Sequence, residues 1–117
     1  MINAPWGEHG ILLESKSYKL KILRVNPGCR TSLQKHYHRT EEWIVMEGHG
    51  EALIGGVPCP LLPNSSPYLV ALSQEHRISN THDSDLLVIL EIQRGDLLSE
   101  ADITRLEDDY GRTDCSL

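Results

Sequence analysis

One short segment of the chain carries most of the side chains that could do chemistry. Residues 32–43 read SLQKHYHRTEEW and bring Gln, two His, Arg and two Glu close together in sequence. Imidazole nitrogens and carboxylate or amide oxygens are groups that bind divalent metals in proteins. A solvated polar loop has the same composition. The choice between the two interpretations depends on whether local structure turns these side chains toward one point.

Strand alternation would bring three of these side chains together. Side chains two apart along a strand share a face. If residues 31–36 form a strand, Gln34 and His36 point the same way. After a short polar turn, Glu41 opens the next strand. These three side chains can therefore converge from two adjacent strands into one interior.

A fourth contributor is expected from a distant strand. His76 opens HRISN, a short alternating segment that follows a turn. A buried Glu beside a buried His is costly unless each has a partner, and one metal ion can serve both. Gln34, His36, Glu41 and His76 would form a mixed nitrogen and oxygen site. We predict one divalent metal ion, with Zn²⁺ as the first expectation and Mn, Fe, Co or Ni as alternatives.

The remaining polar residues have more than one interpretation. His38 and Arg39 follow the first strand and are expected at the rim of the interior, although His38 could instead be a metal ligand with His36. The alternative for any of these histidines is a hydrogen-bonded structural role. By default, three further arginines are solvated surface residues: Arg30, Arg77 and Arg112. Contacts to substrate are the alternative for all three.

The rest of the chain predicts the scaffold that would position this site. At 117 residues one domain is expected, spanning residues 1–117. Short apolar runs end at Gly, Pro and Asn, which is typical of strands and turns. An all-β sandwich or barrel over about residues 15–95 is therefore predicted. Its strands are expected at residues 18–25, 43–47, 51–56, 68–72, 76–79 and 85–93.

Only the tail of the chain has the pattern of a helix. Ser99 is a candidate N-cap, Asp102 comes three residues later, and acidic residues fill the first turn. Ile103 and Leu106 would supply a narrow apolar stripe. We predict a short C-terminal helix over about residues 99–110 that docks on the barrel, with a partner-binding helix as the alternative.

Composition excludes several classes of function. The net charge of −6 argues against nucleic acid as a partner, because that interaction needs clustered Lys and Arg. No apolar run approaches the roughly 18 residues of a membrane-spanning helix, so no membrane association is expected. No signal peptide pattern is present at the N-terminus. Three cysteines without CxxC spacing fit a reducing compartment, so a cytoplasmic location is expected.

The spacing of the polar residues resembles the two motifs of the cupin superfamily. Gln34 stands where the first motif has its first His, and His76 with Asn80 stands for a reduced second motif. The first motif is represented by Gly28, Gln34, His36, Glu41 and Gly48.

A closer resemblance covers nearly the whole chain. The sequence is similar to the C-terminal cupin domain of type II mannose-6-phosphate isomerases, the isomerase halves of bifunctional phosphomannose isomerase/mannose-1-phosphate guanylyltransferases. The resemblance implies a double-stranded β-helix (a jelly-roll barrel), a divalent metal, and aldose–ketose isomerisation of a hexose 6-phosphate. The matching segments are PWG at 5–7, YKLK at 18–21, residues 27–43, HRISN at 76–80 and residues 91–112.

Some positions depart from the pattern of that family. Ala4 replaces an Arg before PWG, Glu42 replaces a His after the ligand Glu, and residues 97–99 read Leu-Leu-Ser where the family has Tyr-Leu-Gly. The nucleotidyltransferase half is missing, so guanylyltransferase activity is not expected from this chain alone. Two other functions therefore stay open: a non-catalytic cupin that binds a sugar or sugar nucleotide, and another metal-dependent cupin enzyme.

The implied reaction suggests roles for two rim residues and a partner. Conversion of mannose 6-phosphate to fructose 6-phosphate needs a proton carrier, for which His38 is the candidate. The planar fork of Arg39 suits the phosphate or a developing oxyanion. Ile44 and Met46 lie on the strand face opposite Glu41 and need a cover, which is either the second sheet or a second subunit. A homodimer is expected.

Overall fold

Two antiparallel sheets face each other in the computed structural model, which describes residues 1–113. The six-stranded sheet has the order β1-β2-β3-β10-β5-β8, and the five-stranded sheet has the order β11-β4-β9-β6-β7. The strands are β1 (Ile2–Ala4), β2 (Gly7–Glu14), β3 (Tyr18–Val25), β4 (Leu33–Lys35), β5 (Arg39–Glu47), β6 (Gly50–Ile54), β7 (Val57–Leu61), β8 (Tyr68–Val70), β9 (His76–Ser79), β10 (Leu87–Gly95) and β11 (Thr104–Glu107).

Alternation of side chains builds the core between the sheets. Strand β10 lies between β3 and β5, and its Ile89 stands opposite Leu23 on one side and Val45 on the other. All three are buried, together with Trp43 on the inner face of β5. Burial of apolar surface stabilises such an interior by about 25 cal/mol per Å². The all-β prediction is confirmed, and each predicted strand overlaps an observed one.

The outer face of the six-stranded sheet is partly apolar. Ile44 stands opposite Leu90 there, and Leu90 stands opposite Ile22. Met46, further along β5, is exposed. The homodimer expected from this face stays a prediction. Within residues 1–113 there is no helix of the length and apolarity needed to cross a membrane.

The predicted C-terminal helix is wrong. The chain makes a single turn, in which the Asp102 amide donates to the Ser99 carbonyl and the Ala101 amide donates to Ser99 Oγ. It then extends as β11, which pairs antiparallel with β4. A helix of about twelve residues is marginal in water. Pairing with β4 instead satisfies the backbone groups of an otherwise open sheet edge.

Asp102 fastens this tail to the loop after β4. Its carboxylate accepts hydrogen bonds from the backbone amides of Tyr37 (3.0 Å) and His38 (2.9 Å). Burial acts to raise the pKa of Asp102, but these hydrogen bonds and the nearby imidazoles outweigh burial and hold the pKa below its usual value. The backbone carbonyl of Asp102 accepts a hydrogen bond from His36 Nδ1 at 2.6 Å. One residue therefore fixes the loop and orients the His36 ring.

Asp102→Ala should lower the free energy of unfolding by about 1–3 kcal/mol, because two backbone amides lose their acceptor. Urea unfolding at neutral pH measures the change. The loss should shrink in acid, since a carboxyl with a lowered pKa contributes stability that disappears as the pH falls through that pKa. Asp83→Ala is the control, because the Asp83 side chain is fully exposed. Equal effects of the two substitutions would contradict this role.

Candidate metal centre

Three metal-ligating side chains meet between the sheets. His36 directly succeeds β4, Glu41 lies on β5, and His76 is the first residue of β9. His36 Nε2 is 3.2 Å from Glu41 Oε2, and His76 Nε2 is 3.7 Å from Glu41 Oε1. One ligand atom from each residue lies within 4.8 Å of the others, and all three side chains are buried. We call these residues the triad.

Backbone carbonyls orient both imidazoles of the triad. The Nδ1 atom of His36 lies 2.6 Å from the carbonyl of Asp102, and that of His76 lies 2.9 Å from the carbonyl of Gln74. With Nδ1–H as the donor, Nε2 is the atom of each ring that faces Glu41. Histidine ligands of metals are held in this way, since the second nitrogen is fixed by a carbonyl or carboxylate.

The charges at the triad suit metal ligands. Burial alone would raise the pKa of Glu41, but His36, His76 and Arg39 together hold the pKa well below its usual range, so the group is a carboxylate. Trp43 Nε1 also donates to Glu41 Oε1 at 3.0 Å. Burial lowers the pKa of His76, which favours the neutral imidazole, although the Glu41 charge opposes this shift. A neutral imidazole and a carboxylate are the ionisation states that metals bind.

Arg39 lies inside the barrel, and its predicted place at the rim is wrong. Arg39 Nε donates to Glu41 Oε2 at 3.0 Å, and Arg39 Nη2 is 3.0 Å from the same oxygen. Nη2 is also 3.2 Å from His36 Nε2. Strand β5 begins at Arg39, so Arg39 shares the inner face with Glu41 and Trp43. Extending the alternation two residues toward the N-terminus would have found it.

A second buried carboxyl group adjoins the triad. Burial raises the pKa of Glu91 to about 8, and the Glu41 carboxylate beside it adds to the rise. Gln93 Nε2 donates to Glu91 Oε2 at 2.7 Å. Both residues continue the inner face of β10 beyond the buried Ile89. Alternation from Ile89 is the sequence pattern that would have revealed them.

A cavity between the two sheets reaches the triad at His76 and is also lined by Arg39. It is lined mainly by polar and charged side chains. Sequence reasoning did not place His9, Lys21 or Arg105 at a functional site, yet all three line this cavity. Lys21 obeys the same alternation as the buried Leu23 on β3.

Gln34 also lines the cavity, beside the triad. It stands directly opposite His76 where β4 pairs with β9. Its amide nitrogen donates to Ser32 Oγ at 3.0 Å, which orients the amide group. Gln34 as a fourth ligand stays a prediction.

The structure does not bring His38 to this cavity. The ring is about half exposed, and its Nδ1 lies 3.5 Å from Asp96 Oδ1. It lines a separate surface groove together with Leu72 and Arg94. The side chain points out of the barrel because His38 precedes the strand residue Arg39, which points in.

The three arginines proposed as substrate contacts are each engaged with protein groups. Arg30 forms two short hydrogen bonds with Asp109, at 2.7 and 2.8 Å, on the surface. Arg77 is buried and donates to the backbone carbonyls of residues 31 and 107, which connects β9 to both segments. Arg112 pairs with Asp108 through two nitrogens, and of the three it alone lines the cavity.

The donor set fits a divalent ion of the zinc type. Two imidazole nitrogens and one carboxylate form a ligand set known for Zn²⁺ and for non-haem iron sites. The Arg39 guanidinium lies against the same ligand atoms, and its Nη1 is buried with no hydrogen-bond partner among residues 1–113. A metal and this guanidinium would therefore compete for the charge of Glu41.

Solved structures define the class of protein. The capsular polysaccharide assembling protein CapF from Staphylococcus aureus superposes with a TM-score of 0.79 at 14% identity, over 92% of this chain and 32% of CapF. A cupin 2 domain-containing protein from Halorhodospira halophila gives 0.68 at 25% identity, over 74% of this chain and 63% of that one. The chain has the cupin fold, and the predicted double-stranded β-helix is confirmed.

Sequence relatives define the family more narrowly. Residues 1–108 match the profile of the family described as "Mannose-6-phosphate isomerase C-terminal". The chain belongs to this family.

Named relatives of the chain are much longer proteins. Xanthan biosynthesis protein XanB of Xanthomonas campestris pv. campestris (strain B100) is 40% identical over 93% of this chain. Alginate biosynthesis protein AlgA of Pseudomonas aeruginosa is 39% identical over 93%, and mannose-1-phosphate guanylyltransferase of Escherichia coli is 35% identical over 95%. The chain spans only 23%, 22% and 23% of their respective lengths.

Arg39→Met should lower the free energy of unfolding of the metal-free chain by about 3–5 kcal/mol, because it leaves the buried Glu41 carboxylate without its cation. Saturating Zn²⁺ should restore most of the loss, since the metal supplies positive charge at the same oxygen. Unfolding measured with EDTA and with Zn²⁺ tests both expectations. Arg94→Met is the control, because Arg94 pairs with Glu42 on the surface. An equal loss with and without metal would contradict the competition.

Proposed function

We propose that the chain is a metal-dependent aldose–ketose isomerase domain that converts mannose 6-phosphate to fructose 6-phosphate. The observation that carries the proposal is the buried His36–Glu41–His76 triad beside a polar cavity. Membership of the mannose-6-phosphate isomerase C-terminal family supports this choice among the reactions that cupin enzymes perform.

The triad would hold the metal, with Gln34 as a further ligand. A bound divalent ion would supply Lewis-acid polarisation of substrate oxygens. The chain's own contribution is to fix the ligands: backbone carbonyls hold the two imidazoles, and Trp43 holds the carboxylate of Glu41. Such fixed ligands place charge where it is needed without reorganisation during the reaction.

Isomerisation also needs a group that moves a proton between neighbouring carbons of the sugar. Such a group must reach the substrate directly or through one water. Of the sequence-predicted pair, Arg39 lines the cavity and His38 does not. Arg39 can donate from its unengaged Nη1 to an oxygen that enters the cavity. We infer that the proton carrier is a cavity-lining group rather than His38.

The metal and the reaction are tested together. The purified chain should contain about one divalent metal by elemental analysis, and a coupled assay with mannose 6-phosphate should show turnover that added Zn²⁺, Mn²⁺ or Co²⁺ restores after chelation. The His36→Ala, His76→Ala double variant should lose both metal and turnover, because two of the three triad residues lose their ligand atoms. Equal metal content in parent and variant would rule out this site.

His38→Ala should keep turnover within about threefold of the parent, because His38 does not transfer the proton. Removing the group that does transfer it lowers turnover by about 10²-fold to 10⁴-fold. Metal content should not change, because the His38 ring lies outside the triad. Steady-state kinetics and elemental analysis of the same preparation measure both. A hundredfold loss of turnover with full metal content would instead indicate that His38 is the acid–base group.

A second candidate function is a non-catalytic domain that binds a sugar phosphate or sugar nucleotide. One observation favours it: Ala4 lines the cavity at the position where the resembled isomerases have Arg, so a guanidinium is missing there. A second departure, Glu42, pairs with Arg94 outside the barrel and does not line the cavity. Binding of mannose 6-phosphate without turnover at any metal concentration would select this function.

A further inference from the structure

Arg105 differs from the other arginines in having no charged partner among residues 1–113. Within residues 1–113 it forms no ion pair or hydrogen bond through its guanidinium, and its Nε atom is buried without an acceptor. Each of the other arginines lies near a carboxylate, in the pairs Arg24–Glu8, Arg30–Asp109, Arg39–Glu41, Arg77–Glu107, Arg94–Glu42 and Arg112–Asp108.

The position of Arg105 connects it to the triad. On β11 it stands opposite Gln34 of β4, and Gln34 stands opposite His76 of β9. These three side chains form a row across adjacent strands, and all three line the cavity. Neighbouring strands are about 4.8 Å apart, so the backbones of Arg105 and His76 are separated by about 10 Å. The two side chains leave the same face of the sheet, so this span suits a molecule with one sugar ring and one further group.

Other cations of the cavity are already neutralised by protein groups. Lys21 Nζ is 3.0 Å from Glu100 Oε1, and Arg112 pairs with Asp108. Arg105 is thus the cavity cation whose charge no carboxylate of residues 1–113 balances. A partly buried charge without a counter-charge is costly, and in an acidic chain a carboxylate partner would have been easy to supply. A ligand with an anionic group would remove the cost.

We propose that Arg105 binds the phosphate group of a small sugar phosphate whose opposite end faces the triad. This deepens the proposed function and rests on it for the identity of the sugar. The planar guanidinium presents paired donors that match two oxygens of a phosphate. Because a buried donor left unpaired is penalised, the site should discriminate against the same sugar without its phosphate.

Titration calorimetry of the purified chain with inorganic phosphate and with mannose 6-phosphate tests the proposal. EDTA is present so that phosphate held by a metal does not contribute. Arg105→Gln should weaken the binding of both ligands by about 10-fold to 100-fold, as expected for loss of a charge-assisted hydrogen bond. Arg105→Lys should bind between parent and Arg105→Gln, because it keeps the charge but not the fork. Free mannose should bind parent and variants equally.

Arg24→Gln is the matched control, since it removes the same charge from an exposed arginine on β3. It should change phosphate affinity less than twofold. Arg105→Gln that binds phosphate like the parent would overturn the proposal, and so would a parent that binds neither phosphate nor mannose 6-phosphate at millimolar concentration. If Arg105→Gln has a lower melting temperature than the control, the phosphate affinity of Arg105→Lys is used instead. An Arg105→Lys affinity equal to that of the parent then overturns the proposal.

The outcomes separate this inference from the proposed function. Phosphate binding that depends on Arg105, in a chain that does not turn over mannose 6-phosphate, would support the inference and exclude the isomerase. Turnover of mannose 6-phosphate, together with phosphate binding that does not depend on Arg105, would support the proposed isomerase function and overturn the inference.

Discussion

The carboxylate of Glu41 is the charge around which the interior is arranged. A carboxylate taken out of water must be surrounded by donors or cations, or it destabilises the fold by several kcal/mol. Here Arg39 and Trp43, from the same strand, donate to it, and the Nε2 atoms of His36 and His76 lie against it from the opposite sheet. The two imidazoles are in turn fixed by backbone carbonyls. Satisfying one buried charge therefore ties both sheets together and brings two imidazole nitrogens to one point.

Alternation predicted the part of this arrangement that lies next to apolar residues. Glu41 was placed correctly because Trp43 lies two residues later on the same face of a clearly apolar strand. Arg39 and Glu91 obey the same alternation, but Arg39 is the first residue of its strand, where a polar residue is easily read as part of a loop. Glu91 lies within a predicted strand, and its face was not assigned. The sequence thus indicated the triad, placed Arg39 at the rim instead of inside, and missed Glu91. The burial of Arg39 and Glu91 depends on pairings between strands that are distant along the chain.

The tail shows a different limit of sequence reasoning. Ser99 and Asp102 do form a turn of the kind that begins a helix, so the local pattern was correctly recognised. The path of the chain beyond this turn is decided by the open edge of β4, which lies more than sixty residues earlier in the sequence. The same long-range pairing explains why Arg105 was overlooked and Arg30, Arg77 and Arg112 were favoured. An arginine's partner is not visible from its immediate neighbours, and Arg30 pairs with Asp109 across 79 positions.

The pairing of β11 with β4 also has a consequence for the order of assembly during synthesis. His36 and its acceptor Asp102 are 66 residues apart. At a translation rate of about 5–20 residues per second, the edge of β4 waits several seconds for its neighbour. Until then a nascent barrel exposes unpaired backbone groups, which other chains can join. The cavity acquires Arg105 only in that last step, so a partly synthesised barrel could not capture an anionic ligand through it.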